Sequence, residues 1–127
     1  MDRKLYNFPH ADLTGKILEA SFEVINELGA GYLESVYEKA LYFVLTEKGL
    51  EVKSQVPINV HFRGQNVGQF FADLLVEEKI IVELKAVSHL TPEHKAQVIN
   101  YLKSTGIEAG LLINFGNAKL EFYRLHP

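Results

Sequence analysis

The stretch from Phe71 to Lys85 constrains the fold of this chain more than any other part of the sequence. Two apolar runs rich in β-branched residues flank the polar triplet Glu77-Glu78-Lys79, a pattern typical of a β-hairpin whose loop is about three residues long. If the hairpin is centred on Glu78, Asp73 faces Glu83 across the two strands. Alternation along the strands then predicts two different faces. One carries Asp73, Glu83 and Lys85 with Phe71, Leu75 and Ile81, and the other is formed by Ala72, Leu74, Val76, Ile80, Val82 and Leu84.

The charged face needs an explanation, because two carboxylates directly opposite each other, with Cβ atoms roughly 5 Å apart, repel and destabilise a sheet. Lys85 supplies one positive charge, but a divalent cation with oxygen ligands would neutralise both acids and is the stronger solution. The alternative is a surface hairpin whose Asp73, Glu83 and Lys85 form a solvated cluster. The strands are more apolar than surface strands usually are, and both interpretations remain open on pattern alone.

Composition limits the class of protein. A chain of 127 residues with 47% apolar and 23% charged residues is predicted to form a single domain over residues 1–127 with its own core. Zero cysteines exclude disulfides and thiolate metal sites. Met1 to Tyr6 leads into no long apolar run, so we expect neither a signal peptide nor a membrane span, and a cytoplasmic protein. The net charge of −3 argues against a dedicated electrostatic nucleic-acid binder, but not against an enzyme whose metal meets the phosphate.

The rest of the chain predicts an α/β fold with a mixed sheet flanked by helices. Two helices come first, then a three-strand meander, a crossover helix that permits parallel pairing with the hairpin, and a closing pair of strands. The helices are predicted at Asp12–Leu28, Leu33–Gly49 and Thr91–Gly106, and the strands at Leu50–Phe62, Val67–Val76, Ile80–Lys85, Ala109–Phe115 and Leu120–Leu125. Pro57 indicates an edge strand or a bulge in the first strand.

Polar residues on two of these helices attract attention. Glu34 falls between Leu41 and Leu45 at 100° per residue, which predicts that its carboxylate faces the core. A favourable charge at a helix N-terminus explains such an acid. The competing explanation is a metal ligand, because burying an unpaired carboxylate costs several kcal/mol. On the third helix, Val98, Ile99 and Leu102 form a buried stripe whose polar border carries His94, Gln97 and Tyr101.

Three motifs together resemble a known family. Gly31-Tyr32-Leu33-Glu34-Ser35-Val36-Tyr37 is similar to the signature of the GxxExxY proteins, a group placed in the PD-(D/E)XK nuclease superfamily. Asp73, nine residues and then Glu83-Leu84-Lys85 resemble the catalytic motif of that superfamily, with Ala72 where many members have proline. Gln97-Val98-Ile99-Asn100-Tyr101 resembles the Q-x-x-x-Y element of its RecB-like branch. The resemblance covers nearly the whole chain.

This resemblance implies a restriction-endonuclease-like core, α-β-β-β-α-β, with an extra N-terminal helix and a short C-terminal strand. It implies a Mg²⁺- or Mn²⁺-dependent phosphodiesterase acting on nucleic acid, DNA more than RNA, with no membrane partner, and it leaves a homodimer open. Asp73 and Glu83 would be metal ligands, with Glu34 as an outer or second ligand. Lys85 would orient the nucleophilic water or stabilise phosphoryl charge. Gln97 and Tyr101 would orient Lys85 or hold a substrate phosphate.

Other readings stay open beside it. One is a non-catalytic module with a nuclease-like fold that binds protein or nucleic acid, which the acidic composition favours. Another is a Mg²⁺-dependent phosphohydrolase acting on a small molecule, although the chain lacks a Gly-rich phosphate cradle. His89 and His94 are predicted to be cap or surface residues rather than metal ligands.

Overall fold

A computed structural model describes residues 8–127. The elements follow the predicted order, and each boundary lies within two residues of the expected position. The helices are α1 (Ala11–Leu28), α2 (Glu34–Glu47) and α3 (Pro92–Thr105), and the strands are β1 (Val52–Phe62), β2 (Gln65–Val76), β3 (Ile80–Lys85), β4 (Ala109–Asn114) and β5 (Glu121–Leu125). The expectation about Met1–Tyr6 lies outside the described residues. Between residues 8 and 127, no helix is long and apolar enough to cross a membrane.

The five strands form one mixed sheet in the order β1-β2-β3-β4-β5. Strands β3 and β4 are parallel, and every other neighbouring pair is antiparallel. The parallel pair requires a crossover, which α3 provides. The predicted α/β fold with a mixed sheet flanked by helices is therefore confirmed. Pro57 lies in β1, the edge strand, where its missing N–H costs least.

Two apolar clusters fix the helices on opposite faces of the sheet. The larger joins α1 and α2 to one face, and the smaller joins α3 to the other. Members of the larger cluster include Ile17, Val24, Leu41, Leu45, Leu74, Val82 and Leu111, and the smaller contains Ile58, Ala72, Leu75, Ile81, Tyr101 and Leu102. Because both faces of the central strands are covered, β3 and β4 are almost entirely buried, as their apolar sequences require.

The central hairpin has the predicted register. Leu74 pairs with Val82, and Val76 pairs with Ile80, so the turn is centred on Glu78. Glu77 and Glu78 adopt left-handed backbone conformations, with φ of 54° and 58°, which lets the chain reverse within three residues.

The predicted face of Ala72 is wrong. Ala72 packs in the smaller cluster beside α3, whereas Leu74 packs in the larger cluster beside α1 and α2. In a regular strand these two residues share a face, so β2 changes face at Asp73. The cause is that Asp73 is unpaired with both neighbouring strands. Gln55 and Asp73 do not pair between β1 and β2, and the pairing of β2 with β3 ends at Leu74.

Capping decides where α3 begins, whereas packing decides which residues of α2 and α3 are buried. Thr91 caps α3 as predicted, accepting His94 N–H at 3.3 Å, while His94 Nδ1 accepts Thr91 N–H at 3.0 Å. His94 is therefore a capping residue. Tyr101, expected on the polar border, is buried, because the outer part of β2 covers that side of α3. Leu33, predicted to be the first residue of the second helix, is 79% exposed, and the helix starts one residue later.

Tyr37 fixes where α2 begins. Its buried hydroxyl donates to Gly29 O at 2.7 Å and accepts Tyr32 N–H at 3.1 Å, closing the turn between α1 and α2. Within that turn Gly31 has a φ of 114°, which side chains disfavour. The Tyr37 ring stacks on Phe115, with centroids 4.9 Å apart and planes 13° apart. The first turn of α2 is thus tied to the end of β4.

Tyr37→Phe should lower the free energy of unfolding by about 1–3 kcal/mol, because it leaves two backbone groups of the turn without their partner while keeping the stacked ring. Tyr42→Phe is the matched control, since Tyr42 is an exposed tyrosine on the same helix. Urea unfolding of the wild type and both variants measures the difference. Equal stability of the two variants would contradict the structural role given to the Tyr37 hydroxyl.

Candidate active site

Asp73 and Glu83 lie where the main-chain ladder between β2 and β3 ends. The last ladder pair at that end is Leu74 and Val82. Beyond it, Asp73 N–H donates to Glu83 Oε1 at 2.9 Å, and Leu84 N–H donates to Asp73 Oδ2 at 2.8 Å. The structure therefore brings the two predicted acids together, and each accepts a hydrogen bond from a backbone N–H of the opposite strand.

The electrostatics of this pair are unfavourable for two bare anions. The pKa of Glu83 is raised to about 8, first by burial and then by the charge of Asp73, with Glu34 acting in the same direction. Glu83 is only 5% exposed. Burial also raises the pKa of Asp73, although hydrogen bonds to its carboxylate and the charge of Lys85 oppose that shift. A positive charge between the two carboxylates would stabilise the folded protein.

Lys85 belongs to the same cluster, as the strand register predicts. It is the last residue of β3, lies opposite Asn114 of β4 and is half-buried. Its ammonium group lies close enough to Glu34, Asp73 and Glu83 to lower the pKa of all three. One end of the hairpin therefore combines two buried or half-buried acids with one cation.

Glu34 does not face the core, so that prediction is wrong. It is the first residue of α2 and its side chain is exposed, because burial along this helix begins one turn later, at Tyr37. Its pKa is nevertheless raised, first by partial burial and then by the charges of Asp73 and Glu38, while Lys85 lowers it. Glu34 thus lies at the solvent side of the cluster.

Two residues at the site escaped the sequence analysis. Gln55 Nε2 donates to Glu38 Oε1 at 2.7 Å and to Asp73 Oδ1 at 3.4 Å. Glu38 could have been predicted from the sequence, since it follows Glu34 at the spacing that places side chains on one helix face. Gln55 could not have been predicted, because its position depends on a left-handed backbone conformation inside β1, with φ of 52°.

Gln97 and Tyr101 lie on the α3 side of the cluster. Tyr101 is close enough to Glu83 and Asp73 that their charges, after burial, raise its pKa. Gln97 and Tyr101 both line a cleft between α3 and the β1–β2 hairpin. In the part of the chain that is described, neither side chain makes a hydrogen bond to Lys85. Both roles, orientation of Lys85 and contact with a substrate phosphate, stay predictions.

Asn114 holds the chain that follows Lys85. This buried amide accepts Val87 N–H at 3.0 Å and Gly116 N–H at 2.9 Å, and it donates to Val87 O at 2.9 Å and Glu121 Oε1 at 3.2 Å. A Cβ at Gly116 would lie 1.9 Å from Val87 O, so only glycine fits there. The sequence indicated this network only through Asn114, a polar residue at the end of the apolar strand β4. The network fixes the chain that follows β3.

The donors present suit a hard divalent cation. All are carboxylate oxygens, and Asp73 and Glu83 each use one oxygen for a backbone N–H. Within residues 8–127, no group of three or more His, Asp or Glu side chains converges as a ready metal cage. Mg²⁺ is usually bound through one or two carboxylates, with waters and substrate phosphates completing its coordination.

Comparison with known proteins gives the superfamily of the chain. A model of the PD-(D/E)XK nuclease superfamily matches residues 11–125, and the chain belongs to that superfamily. The crystal structure of SSO0001 is similar, with a TM-score of 0.55 and 20% identity over 72% of this chain and 48% of that one. The chain thus spans about half the length of that structure, and at this identity the likeness shows the fold alone. No curated protein matches the sequence.

The free energy of unfolding of the metal-free protein should fall as pH rises from about 4.5 to about 8. Folded Glu83 keeps its proton to higher pH than unfolded Glu83, so the folded state binds more protons in this window. The slope from one such group is at most about 1.4 kcal/mol per pH unit. The raised pKa values of Asp73 and Glu34 add the same sign.

Glu83→Gln keeps an oxygen that accepts Asp73 N–H and removes the titration, so its stability should depend less on pH and exceed that of the wild type near pH 8. Glu47→Gln, an exposed substitution at the end of α2, is the control. Urea unfolding with a chelator at several pH values measures all three proteins. A wild type whose stability rises through this window would contradict the repulsion described here.

Proposed function

We propose that the protein is a divalent-metal-dependent nuclease that hydrolyses phosphodiester bonds of nucleic acid, with DNA as the preferred polymer. The observation that carries this proposal is the hydrogen-bonded pair of half-buried Asp73 and buried Glu83, with Lys85 on the same hairpin, in a chain of the PD-(D/E)XK nuclease superfamily. As a finer proposal, the motifs Gly31–Tyr37 and Gln97–Tyr101 assign the chain to the GxxExxY group and the RecB-like branch.

In this proposal Asp73 and Glu83 hold Mg²⁺ or Mn²⁺, with Glu34 as an outer ligand. A bound divalent ion lowers the pKa of a coordinated water and polarises the scissile phosphate. The carboxylates are held ready for this by backbone N–H groups rather than by long flexible partners. Gln55 bridges Asp73 to Glu38 and so limits rotation of the Asp73 side chain.

Lys85 has a separate task. Its ammonium group would orient the attacking water or stabilise the negative charge that develops on the phosphoryl oxygens. Both tasks need a cation that approaches the acids without being neutralised by a close ion pair, and among the described residues Lys85 has no carboxylate oxygen within salt-bridge distance. Gln97 and Tyr101, on the α3 side of the acids, would hold the phosphate or the adjacent nucleotide.

A binding module without catalysis is the second candidate. The net charge of −3 favours it, because nucleic-acid enzymes often add a basic surface to a metal site. It predicts binding of protein or nucleic acid with no metal-dependent cleavage.

Incubation with single- and double-stranded DNA and RNA, with Mn²⁺, with Mg²⁺ and with a chelator, tests the proposal. Lys85→Met should lower kcat on any cleaved substrate by about a hundredfold or more and leave Mn²⁺ affinity nearly unchanged, because Lys85 acts on the transition state rather than on the metal. Calorimetric titration with Mn²⁺ measures the affinity.

The matched control is Lys79→Met, which removes the same charge from the exposed loop of the same hairpin and should retain wild-type kcat. Equal losses of kcat and Mn²⁺ affinity in Lys85→Met would contradict the role given to Lys85. Nucleic acid bound but left intact by the wild type under every metal condition would favour the binding module.

A further inference from the structure

The cleft between α3 and the β1–β2 hairpin extends beyond Gln97 and Tyr101, the two lining residues that the proposed function uses. It has a volume of about 550 Å³, and its walls include Val60, Phe70, Ala96, Asn100, Tyr101 and Ser104. A volume of this size is typical of sites for small organic groups. Its walls combine apolar and aromatic surface with the amide of Asn100 and the hydroxyl of Ser104, a lining suited to a flat group with polar edges.

Phe70 is the unusual member of this lining. It is 45% exposed, yet its ring is held in place by neighbours. The ring centroid lies 5.8 Å from that of Tyr101, with a tilt of 38°. A Cβ at Gly68 would lie 3.4 Å from Phe70 Cε2, so the ring edge rests over the backbone there. An aromatic ring that packs against its neighbours and is also open to a cleft offers a stacking surface.

The cleft lies near the acidic site, because the charges of Glu83 and Asp73 reach Tyr101. Tyr101 forms one of its walls and packs in the same apolar cluster as Ala72, the residue before Asp73. Phe70 lies three residues before Asp73 on β2. The face change of β2 at Asp73 puts Phe70 and Ala72 on the α3 side. A nucleic-acid strand whose phosphate is bound at the Asp73 and Glu83 site therefore has its neighbouring nucleotide near this aromatic cleft.

Charge around the cleft points to a neutral group. Lys103 and Glu93 both contribute to the lining, so the cleft carries no net formal charge. A phosphate or an acidic peptide would gain little here from electrostatics. A nucleobase has a π-face for Phe70 and polar edges for Asn100 and Ser104, and base–aromatic stacking does not require net charge.

We propose that this cleft binds one unpaired base of the substrate, stacked on Phe70, beside the phosphodiester bond held at Asp73 and Glu83. The inference rests on the proposed nuclease function and names its substrate class. A base inside a duplex is covered by its neighbours and enters such a cleft only if it leaves the stack. The enzyme therefore prefers single strands, frayed ends or flipped bases over regular duplex.

Binding is measured with the Glu83→Gln variant, so that no cleavage occurs, and with a single-stranded oligonucleotide carrying 2-aminopurine. Stacking on Phe70 should quench the fluorescence of this base. Adding Phe70→Leu, which keeps apolar bulk and removes the π-face, should weaken single-strand binding about tenfold and abolish the quenching. Adding Phe70→Tyr should restore both, and duplex binding should not change.

Phe43→Leu is the matched control, because Phe43 is 61% exposed on α2 and lies outside the cleft. It should bind single strands like its parent. Unchanged affinity and quenching in Phe70→Leu would overturn the assignment of the cleft, even if the wild type cleaves nucleic acid. Conversely, Phe70-dependent quenching in a protein whose wild type cleaves nothing would support the cleft and contradict the nuclease. Cleavage of regular duplex as fast as single strands would also overturn the stated preference.

Discussion

The hydrogen bonds between the Asp73 and Glu83 carboxylates and each other's strands are the constraint on which the site depends. They replace main-chain pairing at the end of the β2–β3 ladder, so the hairpin opens where it holds its two acids. Such a pair is unfavourable without a cation, because burial raises the pKa of both groups and the charge of Asp73 raises the pKa of Glu83 further. The helical layers on both faces of the sheet supply the stability that tolerates it.

The rest of the molecule holds other groups around that opening. Tyr37 closes the α1–α2 turn and stacks on Phe115, which places Glu34 at the solvent side of the acids. Asn114 fixes the chain that leaves Lys85. The tyrosine of the GxxExxY-like motif therefore has a structural task in this chain, whereas the glutamate one turn earlier is a proposed metal ligand.

Sequence reasoning succeeded where local pattern decides structure. The polar triplet between two β-branched runs fixed the hairpin register, and Thr91-Pro92 marked the start of α3. It failed where tertiary contacts decide. The face of Ala72 depends on an interruption made by two carboxylates and a left-handed Gln55, and the exposure of Glu34 depends on where α2 meets the sheet. Strand alternation does not predict the face of Ala72, and helical periodicity does not predict the exposure of Glu34.

The central claim is that Asp73 and Glu83 form a divalent-metal site within a PD-(D/E)XK nuclease fold. A crystal soaked in Mn²⁺ tests it most directly, because the anomalous signal of manganese locates the ion without reference to activity. The account predicts anomalous density between the two carboxylates, with both side chains as ligands, and none there in a soaked Glu83→Gln crystal. Manganese density elsewhere on the protein with none between Asp73 and Glu83 would contradict it.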